Sequence, residues 1–355
     1  MKKTIVWIMV VVLVVGMMLS ACSKPTQPAD SGNNDAEEVL PVEDGETIKV
    51  ALVVAGGLGD RSFYDSSNEG VERAKAELGV EAKVLECRND PSLLNDQLVQ
   101  ASQYGSIVVV VGFEFFDLVQ EIAPEFPDVN YIYVDNEIDG IDNLTTISYK
   151  ENEGSFLVGA MAAMLTKEAS LEGMAGANVI GMVGGMDIPV IRNFKAGYEA
   201  GAAYIDSNIK VETIFANDFE DPAKGKESAL ALYARGADIV FQVAGKTGEG
   251  VFEAANDVGK YAIGVDSDQR YINPDVIVAS MIKGVGLSIF ESIEKIQDGT
   301  FESGKTLYYG IEENGVSLGY GTEDMEQFVT EEMKDQLETI KNEIIGGQIQ
   351  VPEGK

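Results

Sequence analysis

The sequence predicts an α/β protein of two three-layer lobes, each a mostly parallel sheet between helices, joined by a strand-exchanging hinge around a central ligand cleft. Three observations predict it. Short apolar runs of strand length, such as 106–111 (SIVVVV), alternate with stretches of helical spacing along the chain. The alternation falls into two series, roughly 100 and 120 residues long, each enough for one α/β layer sandwich. Strand after strand also ends in a glycine or an acid, as expected when parallel strands point their carboxyl ends at one cleft.

The first series opens with an apolar run at 50–54, which breaks at Gly56, Gly57 and Gly59 and resumes as a helix through Glu69, Val71, Ala74 and Leu78. A strand follows at 82–85, then a helix at 91–104 whose Leu94, Leu98 and Ala101 share a face. The β-branched run 106–111 reads as a strand buried on both faces. It leads through Gly112 and Asp117 into a helix at 118–123, and a strand at 129–134 ends at Asp135 and Asn136. A short strand at 144–148 leads out. The helix at 151–165 is rich in small residues and is expected to lie close against a sheet.

The second series has strands at 179–183, 211–216, 237–243, 261–265 and 276–281, with helices at 190–204, 223–234, 250–258 and 286–297. The tail has a strand-like 307–309 and a helix at 330–346. The expected division is 48–145 plus about 280–299 for the first lobe, and 146–279 plus about 300–355 for the second.

The chain has 355 residues, with 26 Lys and Arg against 59 Asp and Glu, a formal net charge of −33. Such acidity argues against nucleic-acid binding and against docking on anionic lipid through a basic patch. There is no histidine, which removes His-based triads, His–Cys zinc sites and the commonest general base. Of the two cysteines, Cys87 reads as a small half-buried residue. No metal or cofactor is expected.

The N-terminus reads as an address. Lys2 and Lys3 precede an apolar run from 5 to 19, short for a spanning helix but suited to a signal peptide. The run closes in Leu19, Ser20, Ala21 and Cys22, which resembles a bacterial lipobox with Cys22 as the lipidated mature N-terminus. Residues 23–47 are rich in Ser, Pro, Asn, Asp and Glu and read as a flexible tether. The expectation is a soluble body held by lipid on the extracytoplasmic face of the cell membrane.

Two phosphate-binding patterns are incomplete. The glycine turn at 56–59 has Ser62 where a dinucleotide fingerprint counted from Gly57 needs its last glycine. Gly245, Lys246 and Thr247 resemble the end of a P-loop, but the first glycine of that motif falls on Val240.

The candidate contacts with a small ligand each follow an apolar strand or face the cleft. Asp60 and Ser62 act on a ligand or cap the next helix. Phe63 is flanked by polar residues and offers a stacking surface. Asp117 opens a helix, where capping is the alternative, and Phe194 precedes Tyr198 by one helical turn, where core packing is. Gly245 begins the loop after the strand at 237–243. Asp266 ends a strand, and Lys283 is a cation at the end of the next, expected to pair with Asp266 and with ligand hydroxyls. Aromatic rings with an acid–lysine pair suit a nucleoside: the rings stack on the base while Asp266 and Lys283 bond the vicinal hydroxyls.

Taken together, GGLGDRSF at 56–63, VGFEFFDLVQEIAPEFPDVNYIYVD at 111–135, ENEGSFLVGAMAAMLTK at 151–167, GMVGGMDIPVIRNFKAGYEAGA at 181–202, DPAKGKESALALYARGADIVFQVAGKTGEGVFEAA at 221–255, IGVDSDQ at 263–269 and ASMIKG at 279–284 resemble the basic membrane protein family of substrate-binding lipoproteins, which includes purine nucleoside receptors of ABC importers. The resemblance implies a type I periplasmic-binding-protein fold and an extracytoplasmic receptor, monomeric, that delivers a nucleoside, purine by class, to ABC permease subunits without chemistry. It implies a base held between Phe63 and Phe194, a ribose held by Asp266 and Lys283, and a further contact at Asp117. The first loop departs from the family pattern T-D-G-G-I-D-D-K-S-F-N at Ala55, Gly59 and Tyr64, and Lys246 replaces a glycine of the second-lobe loop. A receptor for another small ligand, such as a sugar-like signal, and an extracellular nucleoside hydrolase stand as alternatives.

Overall fold

The computed structural model describes residues 47–168 and 171–354; the leader, lipobox and all but the last residue of the tether lie outside the described residues. The first lobe is built from β1 (Lys49–Val54), α1 (Phe63–Glu77), β2 (Glu81–Glu86), α2 (Leu94–Tyr104), β3 (Ile107–Val111), α3 (Phe116–Ile122), β4 (Asn130–Val134) and β5 (Leu144–Tyr149). The second contains α4 (Glu151–Glu168), β6 (Val179–Gly184), α5 (Pro189–Ile205), β7 (Lys210–Phe215), α6 (Pro222–Ala234), β8 (Ile239–Val243), α7 (Glu249–Val258), β9 (Tyr261–Asp266) and β10 (Ile277–Lys283). The tail supplies α8 (Val285–Gln297), β11 (Thr306–Tyr309), β12 (Val316–Gly319) and α9 (Glu331–Ile345).

The strands form two six-stranded sheets. The first has the order β11-β5-β4-β3-β1-β2 and the second β12-β10-β9-β8-β6-β7. Pairings are parallel except that β12 runs antiparallel to β10. Alternation along β1 shows why the lobes have three layers. Val50, Leu52 and Val54 face a core that continues into the second lobe, while Ala51, Val53 and Ala55 face a separate core under α2 and α3. The sheet centre, β3, is buried at every residue, as its unbroken β-branched sequence requires. The edge strands β2 and β7 carry charges and are less buried. Cys87 is fully buried in the core beneath the first sheet, not half-buried as expected.

The helix rich in small residues, α4, makes its closest approach to another helix. A Cβ at Gly201 of α5 would lie 1.9 Å from the carbonyl oxygen of Phe156 on α4, and one at Gly197 would lie 2.0 Å from that of Asn152. Only glycine allows these backbones so near.

The chain crosses between lobes around residues 150, 284 and 310–315. These points depart from the expected boundaries in three ways. β5 continues the first sheet to Tyr149, β10 stays in the second sheet to Lys283, and β11 returns to the first. Thr306 pairs with Thr146 in parallel register, and their hydroxyls lie 2.7 Å apart. A four-residue strand has one pattern whichever open edge it joins, so the sequence around it did not distinguish them. β8 begins at Ile239, and β12 is short and without a marked period.

Candidate functional site

Because the strands of both sheets run parallel apart from the edge strand β12, their carboxyl ends meet at one place. Turns after β1, β2, β3, β4, β6, β7, β8, β9 and β10 line a cavity of about 330 Å³ between the lobes. The volume lies at the lower end of small-molecule pockets.

The turn after β1 is fixed by Asp60. Its buried carboxylate accepts N–H bonds from Ser62 at 3.1 Å, Tyr64 at 2.9 Å and Asp65 at 3.0 Å, so it caps α1 while also lining the cavity. Burial raises its pKa, and those N–H bonds oppose the rise. Ser62 is fully buried and does not line the cavity. Its hydroxyl instead donates to Asp266 Oδ2 in the other lobe. Phe63, the first residue of α1, presents its half-buried ring to the cavity.

The residue expected beyond β3 is displaced. Asp117 lies exposed in the first turn of α3, away from the cavity lining, which is supplied from that segment by Gly112, Phe113 and Glu114. An extra 3₁₀ turn, Phe113–Phe115, intervenes before α3 and turns Asp117 outward.

In the second lobe, Phe194 of α5 is 2% exposed and lines the cavity. Gly245 lines it from the turn after β8 with φ of +56°, in the left-handed region. Asp266 ends β9 and Lys283 ends β10, and both are buried. The expected direct pairing of these two is replaced by another geometry. Lys283 Nζ lies 2.6 Å from Asp135 of the first lobe and 3.1 Å from Glu151 at the start of α4. It also sits 5.3 Å from the Phe63 ring centroid and 5.6 Å from that of Phe194.

Electrostatics follow from burial. Desolvation favours a neutral Lys283, but the carboxylates of Asp135, Glu151 and Asp266 outweigh it and hold the amine as an ammonium. Burial pushes the Asp266 carboxyl up to about 6, with Lys283 and the Ser62 hydroxyl opposing. Burial pushes Glu151 up to about 7, again against Lys283.

Phe63, Phe194, Asp266, Lys283, Asp60 and Gly245 thus meet at one cavity, with Ser62 behind Asp266 and Asp117 outside. Asp135 and Glu151 were missed as contacts. Asp135 had a signal: like Asp266 it follows an apolar strand, and both adopt positive φ, +62° and +66°. Glu151 had none, since an acid at a helix start is ordinary. Tyr64, Phe219 and Glu220 also line the cavity from loops or helix starts without a periodic signature.

Residues 47–355 match the family described as ABC transporter substrate-binding protein, PnrA-like. The chain belongs to this family. This PnrA-like protein is 32% identical to the "ABC transporter nucleoside-binding protein BmpA" of Lactococcus lactis subsp. cremoris, across 99% of both chains. It is 34% identical to "Basic membrane protein A" of Borreliella burgdorferi, covering 70% of this chain and 72% of that one. Among solved structures, an ABC transporter solute-binding protein from Aeropyrum pernix K1 superposes with a TM-score of 0.77 at 26% identity, covering 86% of this chain and 94% of the other. The PnrA-like protein is therefore a substrate-binding protein of an ABC transporter, with the two-lobed periplasmic-binding-protein fold.

Proposed function

We propose that this protein captures a nucleoside, purine by class, outside the cell and delivers it to an ABC permease, anchored as a monomer by lipid on Cys22. The observation that carries this reading is the placement of Lys283 beside both Phe63 and Phe194, with Asp266 and Asp135 next to it. Rings offer a flat base a stacking surface, while an ammonium and carboxylates suit the donors and acceptors of ribose hydroxyls. The name of the Lactococcus relative supports the same ligand class.

The cavity carries more carboxylates than ammonium groups, which disfavours a phosphorylated ligand. The protein performs no chemistry. Its work is closure: Ser62 bonds Asp266, while Ser267 and Gln269 donate to the Arg61 carbonyl across the lobes at 3.0 Å and 2.9 Å. A ligand that bridges the lobes shifts the population toward this closed arrangement.

Calorimetric titration with inosine, guanosine, adenosine, cytidine and free ribose tests the reading. Saturable binding of purine nucleosides is expected, and binding of none of the nucleosides overturns it. Release of free base during the titration overturns the assignment as a receptor without chemistry. Membrane fractionation of Cys22→Ser tests the anchor: the variant is expected to leave the membrane fraction, and retention with unchanged mobility contradicts lipidation.

A further inference from the structure

Polar groups at the cavity fall into two sets, and the set around Lys283 leaves the other unused. The second set gathers on Glu220, from the segment joining β7 to α6, and Lys246, from the turn after β8. Tyr64 and Glu114 of the first lobe complete it.

Its placement depends on Gly56. A Cβ there would lie 2.4 Å from Tyr64 Cε2 and 3.2 Å from Glu220 Oε1, so a first-lobe ring and a second-lobe carboxylate converge over this one glycine. The Glu220 backbone is fixed by its N–H bond to Asp218 Oδ1 at 2.9 Å. Burial raises the Glu220 carboxyl and the Lys246 charge opposes it. Among the described residues neither Glu220 nor Lys246 takes part in an ion pair, and Asn89, which also lines the cavity, helps hold the Glu220 carboxylate charged.

A carboxylate accepts hydrogen bonds and an ammonium donates them. A ligand edge that satisfies both must place an N–H donor next to an acceptor. The 6-oxopurines do so, with N1–H beside O6, and guanine adds an amino donor for the nearby acids. Adenine presents the opposite order, an acceptor N1 beside an amino group. We propose that Glu220 and Lys246 determine specificity by reading a 6-oxopurine nucleoside, Glu220 accepting N1–H and Lys246 donating to O6. The assignment rests on the nucleoside reading above.

Titration of the full body and of Glu220→Gln and Lys246→Met with guanosine, inosine and adenosine tests it, with thermal melting of each variant alongside. The unaltered protein is expected to prefer guanosine and inosine over adenosine by about tenfold or more. Each variant is expected to reduce that preference to within roughly threefold. Nucleoside binding with no 6-oxo preference, or a preference that both variants keep, overturns this assignment alone. Failure of the unaltered protein to bind any nucleoside overturns the functional reading and this one together. A variant with a lowered melting temperature is judged on the ratio between nucleosides, which loss of folded protein does not alter.

Discussion

Lys283 at the end of β10 reaches across the cleft to Asp135 at the end of β4, with Nζ 2.6 Å from the carboxylate. The pair joins the lobes in the lining of the cavity. Glu151, 3.1 Å from the same Nζ, ties it to the helix that begins where the chain first crosses between lobes. One ammonium thus holds acids from both lobes, next to the aromatic surfaces of the site.

Lys283→Met is expected to lose more than ligand affinity. It leaves Asp135, Glu151 and Asp266 without their cation, and removing one partner of a buried pair costs about 3–5 kcal/mol. Thermal melting of the unliganded variant checks this. An unchanged melting temperature contradicts a structural role for the pair.

Stability should fall as pH rises through neutrality because of Glu151. Its folded pKa, about 7, lies above the ordinary value for a glutamate, so the folded state holds the proton more tightly than the unfolded one. The contribution is present at low pH and lost as pH rises from roughly 4 through about 7. Asp266, raised to about 6, acts in the same direction. Comparing melting temperatures between pH 5 and pH 8, Glu151→Gln is expected to show a smaller decline than the unaltered protein. Parallel declines contradict the assignment, and the comparison cancels the self-repulsion of an acidic surface.

The order of strands and helices was legible because burial writes its period into the sequence, as in the unbroken apolar β3 and the amphipathic α2. Asp266 and Lys283 were legible for a related reason: a charge directly after a buried strand stands out. Their partners were not. Asp135 and Glu151 meet Lys283 from 148 and 132 residues away, a proximity set by sheet topology. Asp117 illustrates the opposite error, since one 3₁₀ turn changes which acid faces the cavity and leaves no mark in composition. The destination of β11 depended on which sheet edge lay open, which a four-residue run cannot encode.

Gly201→Ala tests the helix contact independently of the site. The added methyl would lie 1.9 Å from the Phe156 carbonyl oxygen, so α4 and α5 must separate. Overpacking of this kind costs about 1–3 kcal/mol. A lowered melting temperature is expected, with ligand affinity well below that temperature changed little. An unchanged melting temperature means the helices adjust freely.

Ser62 and Asp266 give the sharpest separation between holding the ligand and closing on it. Asp266→Ala removes a cavity carboxylate, and is expected to weaken nucleosides far more than the matching free bases, which lack the ribose. Equal losses contradict a ribose role. Ser62→Ala leaves the cavity lining intact and removes only the hydroxyl that Asp266 accepts from across the cleft. Losing one such bond to a charged group is worth about 1.5–3 kcal/mol, so closure should be less favoured. Small-angle scattering at subsaturating nucleoside is then expected to show a more open average shape than the unaltered protein, with affinity for nucleoside and free base reduced by the same factor. A loss confined to nucleosides would instead make Ser62 part of the ribose contact.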